Sequence, residues 1–386
     1  MAEAYIVEAV RTPGGKRKGA FADLHPADLG ATVLNALLDR TGIDPAAIED
    51  VIVGCVTQAG EQSFAFGRNM VMASRLPDSV PAVTIDRQCG SSQQALHFAA
   101  QAVMSGTQDI IVAAGCESMT RVPMLSNLTL HRQAGIGEGP WSQAIRDRYG
   151  VSEFSQFHGA QALADKYGFS REDMDAYALE SHRRATVAVE AGAFAREIVP
   201  VSTSAGLVEQ DEGIRFDASM ESMAAVKTIA EGGSITAANA SQMTDGASAV
   251  MVVSEAALTR FQLTPLARIH GLTVTAGDPV IMLEEPIPAT VKALARAGMQ
   301  LGDIDLFEVN EAFASVPLAW MKALGADHAR VNVHGGAIAL GHPLGASGTK
   351  LMTTLVHALK ARGLKWGLQT MCEGGGLANV TIVEAL

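Results

Sequence analysis

Along the chain, short continuous apolar runs alternate with longer stretches whose apolar positions recur at helical spacing. The runs at 5–10, 51–56, 82–86, 109–114 and 249–253 are each bounded by polar or turn residues and predict buried strands. A second set follows at 267–274, 305–309, 330–333, 367–371 and 379–383. Between them, amphipathic stretches such as 27–41 and 289–297 predict helices with one apolar face. Strands alternating with helices in this way predict an α/β fold.

The two sets read as one unit used twice. Gly42-Ile43-Asp44-Pro45 leads from a helix toward a strand, and Gly298-Met299-Gln300-Leu301 does the same after the corresponding helix. Each half then has a strand, a Gly/Ser-containing turn and a helix, at 84–92 and at 331–347. Each also has a strand ending in Cys-Glu, at Cys116-Glu117 and Cys372-Glu373. Three parallels in the same order predict a duplicated α/β half, with a period far beyond that of a solenoid. The stretch from Glu117 to Thr244 interrupts the first copy before its last strand. It carries two predicted helices, at 153–166 and 171–191, and a long polar region. A long insertion in a compact fold is either functional or a cap over the core.

Composition narrows the function classes. With 29 basic and 41 acidic residues the net charge is −12, which argues against non-specific nucleic-acid binding or adhesion to acidic lipid. Apolar residues reach 48% but aromatics only 5%, so the core must rest on aliphatic side chains. No apolar run is long enough to span a bilayer, and the first residues lack a secretory pattern, so no membrane segment and a cytoplasmic setting are expected. Four scattered cysteines form no CxxC pair, and the ten histidines show no metal-ligand spacing, so no bound metal is expected.

Four clusters could carry chemistry, each at the C-terminal end of a predicted strand, where open α/β sheets place ligands. The first is Asp86-Arg87-Gln88-Cys89-Gly90-Ser91-Ser92, which sets a thiol at or near a helix N-terminus, where unpaired N–H groups favour thiolate. The second is the Gly-rich run Asn332 to Gly345, which holds His342 between Gly341 and Pro343 as a candidate base. It lacks the residue order of a nucleotide phosphate loop. The third, Cys372-Glu373-Gly374-Gly375-Gly376, has a second thiol beside exposed backbone N–H groups that could bind an oxyanion. The fourth is Asn310-Glu311-Ala312-Phe313-Ala314. Each has a plainer structural reading alone: a small buried thiol, a core histidine, a tight turn. Their joint occurrence favours chemistry.

These motifs together resemble the thiolases, over nearly the whole chain. The resemblance rests on Cys89-Gly90-Ser91, Asn310-Glu311-Ala312-Phe313, Gly341-His342-Pro343 and Cys372-x-Gly374. Within the family, the wording around Cys89 and Cys372 is most similar to bacterial thiolases of sterol or steroid breakdown. The resemblance implies two duplicated αβαβα halves, five layers deep, with an inserted CoA-binding loop domain. The expected division is 1–116 with 245–264, the insertion 117–244, and 265–386. It implies that Cys89 is the nucleophile, His342 its base, Cys372 the acid/base at carbon, and Asn310 and Gly374 oxyanion supports. It further implies CoA contacts from Arg215, Ser241, Ala312 and Phe313, with His158 near a position where some short-chain enzymes carry a histidine. Coenzyme A would be a co-substrate with no tightly bound cofactor, and the assembly a homodimer or homotetramer.

The chain departs from the family pattern in places. His334 stands where many members have Asn, Ala238 replaces a common Gly, and Glu373 follows Cys372 where an apolar residue is frequent. A carboxylate beside a thiol disfavours thiolate, which suits an acid that holds its proton at rest, unless Glu373 points away. The expected activity is CoA-dependent cleavage of a 3-ketoacyl-CoA. The alternatives are acetoacetyl-CoA synthesis or cleavage and, in another class, a non-catalytic acyl-CoA carrier. A carrier predicts loss of Cys89, His342 or Cys372, and all three are present. Ketoacyl synthases share the duplicated fold but lack a counterpart of Cys372.

Overall fold

The computed structural model describes residues 2–386. The first half contains β1 (Ala4–Arg11), the two-residue β2 (Gly15–Lys16), α1 (Pro26–Thr41), β3 (Asp50–Gly54), α2 (Phe66–Ala73), β4 (Ala82–Ile85), α3 (Ser91–Ser105) and β5 (Ile110–Ser118). An insertion follows, with α4 (Ser126–Ala134), α5 (Gln143–Tyr149), α6 (Gln156–Tyr167), α7 (Arg171–Glu190), the hairpin β6 (Val201–Thr203) and β7 (Gly206–Val208), and α8 (Met220–Ala224). The first half then closes with β8 (Thr244–Ser254) and α9 (Glu255–Phe261). The second half comprises β9 (Ala267–Ala276), α10 (Pro286–Ala297), β10 (Leu306–Val309), α11 (Ser315–Leu324), α12 (Ala337–Leu340), α13 (Ser347–Arg362), β11 (Trp366–Glu373) and β12 (Leu377–Ala385).

The duplication is visible in the sheet. The first half orders its strands β4-β3-β5-β8-β1 and the second β10-β11-β12-β9, so β3, β5, β8 and β1 correspond to β10, β11, β12 and β9. The halves join where β1 meets β9 antiparallel through Tyr5–Arg268 and Ile6–Ala267, giving one ten-stranded sheet. The helices repeat as well. Gly42 and Gly298 end α1 and α10 in the left-handed region, at φ 64° and 66°, where glycine carries no Cβ penalty. A single 3-10 turn follows in each case, at Pro45–Ala47 and Leu301–Asp303.

Side-chain alternation along the strands builds the layers. In β8, Ala249, Met251 and Val253 join Leu29, Val33 and Leu37 of α1, whereas Val250 and Val252 face α3 and α13. On the second half's outer face, Val380 and Ile382 of β12 pack with Ala289 and Ala293 of α10 and Trp320 of α11. The stack is therefore helices, sheet, the central pair α3 and α13, sheet, helices. The insertion interrupts the first half in sequence, yet its Leu163, Met174, Tyr177 and Ile235 share the apolar cluster of the second half. The segment leaves β5 after Ser118 and returns to the sheet at Thr244, the first residue of β8.

One predicted strand is absent. Residues 330–333 form the end of a 3-10 turn and two isolated bridges, Val331 to Phe307 and Val333 to Gly335. The cause is Asn332, held at φ 48°. Its side chain makes the ladder itself, accepting from the Val309 N–H at 2.8 Å and donating to the Val309 carbonyl at 2.8 Å.

A buried ionic cluster pins the insertion to the core. Arg11 donates from Nε to Glu197 at 2.6 Å and from Nη1 to Asp211 at 2.7 Å, all three groups being inaccessible to solvent. Burial alone would raise the Asp211 carboxyl, but Arg11 and Lys350 hold it below its ordinary range. Arg11→Met leaves two buried carboxylates without their cation. It is expected to lower the unfolding free energy by about 3–5 kcal/mol, read as a shift of the urea midpoint.

Candidate active site

The first cluster sits in the turn between β4 and α3. Asp86 accepts from the Gln88 N–H at 2.7 Å, and Gln88 is left-handed at φ 49°. Such a conformation costs a non-glycine residue on the order of 1 kcal/mol and persists only where its surroundings enforce it. Here Ser91 enforces it, its Oγ accepting from the Arg87 N–H at 2.9 Å and donating to the Gln88 carbonyl at 2.6 Å. Cys89 follows two residues before α3 and is buried among Val56, Met119, Leu344, Leu351 and Met371, with Met124 alongside. Burial, then the neighbouring Glu373, pushes its thiol up to about 12, opposed by the N–H groups of Cys89 and Gly374 that favour its anion.

His342 lies between α12 and α13. Gly341, at φ 82°, is forced by crowding: a Cβ there would stand 2.2 Å from Thr244 Oγ1. The His342 N–H is held by the Gln242 carbonyl at 3.1 Å and Thr244 Oγ1 at 3.2 Å. Its Nδ1 is 2.5 Å from Ser347 Oγ, and that hydroxyl donates to the Pro343 carbonyl at 2.9 Å. Because the serine's proton is already used, Nδ1–H must donate to it, leaving the Nε2 lone pair free. The Asn310 amide, at the end of β10, points its Nδ2 at that nitrogen at 3.5 Å. Burial, reinforced by Lys350, lowers His342 to about 3, so the ring is neutral at pH 7.

Cys372 ends β11 and is buried. Its thiol is raised well above the ordinary value by burial first, then by the proximity of Cys89 and Glu373. Gly374, the next residue but one, packs on Gln88: a Cβ would lie 2.8 Å from that side chain's Oε1. The ends of β4 and β11 thus bring Cys89, Cys372 and Gly374 together, the end of β10 brings Asn310 to His342, and Leu344 of the His342 loop packs with Cys89. A thiol with a neutral imidazole, a second thiol and converging N–H donors can form a thioester and stabilise the oxyanions on either side of it.

The residues expected to hold CoA lie on the insertion and beside β10. Ser241 donates its N–H to the Ala312 carbonyl at 2.9 Å, Ala314 donates to Asn239 at 2.8 Å, and Ala240 bridges Phe313. Arg215 is exposed, its N–H bound to His182 Nδ1 at 3.1 Å. His158 is exposed near the start of α6. The residue that meets Phe313 is Phe157, edge to face at 5.5 Å. Among the described residues no group of three or more His, Cys, Asp or Glu could hold a metal ion, and no helix is long and apolar enough to cross a membrane.

Two supports escape sequence reading. Ser347 lies two residues beyond the Gly-rich run that ends at Gly345, where nothing in the sequence marks it. Glu117 accepts from the N–H groups of Val56, Thr57 and Gly345, each at 2.9 Å, and from Gln62 Nε2 at 3.0 Å, tying the His342 loop to the first half. Only the repeated Cys-Glu pair hinted at it.

Fold and site fit an acyltransferase built from two joined α/β halves. The chain belongs to the thiolase family. The family's N-terminal domain matches residues 4–256 and its C-terminal domain residues 263–385. The chain is 53% identical to the steroid 3-ketoacyl-CoA thiolase FadA6 of Mycobacterium tuberculosis, over all of this chain and 95% of that protein. It is 40% identical to a 3-ketoacyl-CoA thiolase of Bacillus subtilis, over the whole of both. It is 42% identical to a probable acetyl-CoA acetyltransferase of Escherichia coli, over 100% of this chain and 99% of that one.

Proposed function

We propose that this chain cleaves a 3-ketoacyl-CoA with CoA, releasing acetyl-CoA and a shortened acyl-CoA, in the breakdown of a steroid or fatty acid. The observation that carries the reading is a buried pair of thiols, Cys89 and Cys372, with the Gly374 N–H at Cys89, in a methionine-lined cluster that also holds Leu344, two residues after the neutral His342. Nε2 of His342 takes the Cys89 proton, and the thiolate attacks the keto carbon. The N–H groups of Cys89 and Gly374 hold the alkoxide. On collapse the bond between C2 and C3 breaks and its electron pair forms the acetyl-CoA enolate. The His342 Nε2–H and the Asn310 amide stabilise that enolate while Cys372 protonates C2. The incoming CoA thiol returns a proton to Cys372 and attacks the Cys89 thioester, and the departing Cys89 thiolate recovers its proton from His342.

Residues 117–244 serve as the CoA-binding segment in this reading. Ser241, Ala312 and Phe313 line the pantetheine arm, and Arg215 meets the nucleotide end. CoA is a co-substrate and no cofactor is tightly held. The exposed Val83 on the edge strand β4, with Met72 and Phe98 on α2 and α3, supports self-association as a dimer or dimer of dimers. Four unpaired cysteines fit a reducing, cytoplasmic setting.

The flexible thioethers of Met119, Met124 and Met371 suit a bulky acyl group, because methionine repacks readily. Intact-mass spectrometry with peptide mapping tests this. An acyl adduct on Cys89 from a ring-derived 3-ketoacyl-CoA in preference to acetoacetyl-CoA is expected. Fast acetylation from acetoacetyl-CoA alone would favour the four-carbon reaction, and no adduct from either would overturn the proposal. Ser347→Ala frees the tautomer of His342 and is expected to slow acylation by roughly 10- to 100-fold with KM little changed, read by single-turnover mixing.

A further inference from the structure

The duplication supplies an internal comparison that singles out Glu373. It occupies in β11 the place that Glu117 occupies in β5, following the paired cysteines Cys372 and Cys116. Glu117 receives four hydrogen bonds from N–H donors. Glu373 is equally buried, yet both its oxygens lack a hydrogen-bond partner. It is pressed against the nucleophile turn, where a Cβ on Gly90 would stand 1.9 Å from Glu373 Oε1. The strand end and the turn are thus in direct contact through a carboxyl group and Gly90, where any side chain would push the Glu373 carboxyl aside.

A buried carboxylate with no ion pair and no well-formed hydrogen bond is not sustainable, so this group is an uncharged acid at rest. Burial is the main cause and lifts it to about 8, with Arg87 and the Asn379 N–H opposing. The other titratable groups around it are the two thiols and Asp86 of the turn, with the neutral His97 further along α3.

We propose that Glu373 is a positioning residue of the thiol pair: as a neutral acid it seats the end of β11 on the Cys89 turn, and its ionisation silences both thiols. The charge would lie beside Cys89 and Cys372, opposing every step that makes either one anionic. The sign is fixed. Below about pH 8 the acid is neutral and adds no charge beside the thiols, whereas above it the rate falls. The inference rests on the reading of Cys89 and Cys372 as the reacting thiols.

The test uses alkylation, which needs no substrate. Iodoacetamide labelling of Cys89, followed by peptide mapping, is compared between the native protein and Glu373→Gln from pH 6 to 10. Equal rates are expected near pH 6.5, with the variant faster by roughly tenfold at pH 9 because no new charge appears. The alkaline fall in thiolysis should move upward in the same variant. Glu373→Met, neutral and apolar, should behave likewise and keeps the test open if the glutamine variant does not fold. Matching alkylation profiles for native and variant proteins would overturn the role of Glu373, whatever the outcome of the thiolysis assay. Loss of thiolysis with the alkylation difference intact would count against the proposed reaction and leave this inference standing.

Discussion

Cys89→Ala is expected to reduce thiolysis by on the order of 10⁴-fold or more, because nucleophile and base act as a unit whose loss removes the covalent route. The surface proposed to hold CoA is the loop that pairs Ala240 with Phe313, which the substitution leaves untouched, so KM for CoA should change little. Removing the thiol also takes a buried group out of an apolar shell of Val56, Met119, Leu344 and Met371. Stability should therefore be little affected, since a thiol contributes roughly as much as a small hydrophobe. The measurement is a steady-state assay paired with intact mass after substrate addition, and turnover with no adduct would place the nucleophile elsewhere.

Cys372→Ala should separate the two halves of the reaction. Transfer from a simple acyl-CoA to Cys89 needs His342, Gly374 and the Cys89 N–H, all of which remain. Cleavage of a 3-ketoacyl-CoA also needs a proton delivered to C2, and losing a positioned general acid costs roughly 10²- to 10⁴-fold. The raised position of the Cys372 thiol supports this role, since a group held by burial as S–H is a ready donor to an enolate. Single-turnover acylation from acetyl-CoA should stay within a few-fold of the native rate while carbon–carbon cleavage collapses. Equal loss of both would assign Cys372 to packing alone.

What the sequence made legible is what lies close along the chain. Gly42 and Gly298 announced matching helix ends, and the Cys89 and Cys372 motifs stood beside their strands, because periodicity and capping are local signals. Partners brought in from afar were hidden. Nothing near Arg11 points to Glu197 or Asp211, and nothing near Glu117 points to Gly345. Residues 330–333 read as a strand because Val331 and Val333 are β-formers, yet Asn332 replaced the backbone ladder with its own amide. At the start of α6, His158 is exposed and it is Phe157 that meets Phe313, a contact that nothing local in the sequence marks.

The seam between β1 and β9 makes the molecule a dimer written as one chain, and a dimer has two equivalent sites. Only one of them is furnished here. At the place that mirrors Cys372, Cys116 is sealed inside the fold with its Sγ donating to the Pro26 carbonyl at 3.2 Å. Where Glu373 hangs without donors, Glu117 has been recruited as a strut between the halves. One copy of the repeated strand end has thus become scaffolding while the other borders the site, so damage at Glu117 should be felt as misalignment of the loop that carries His342.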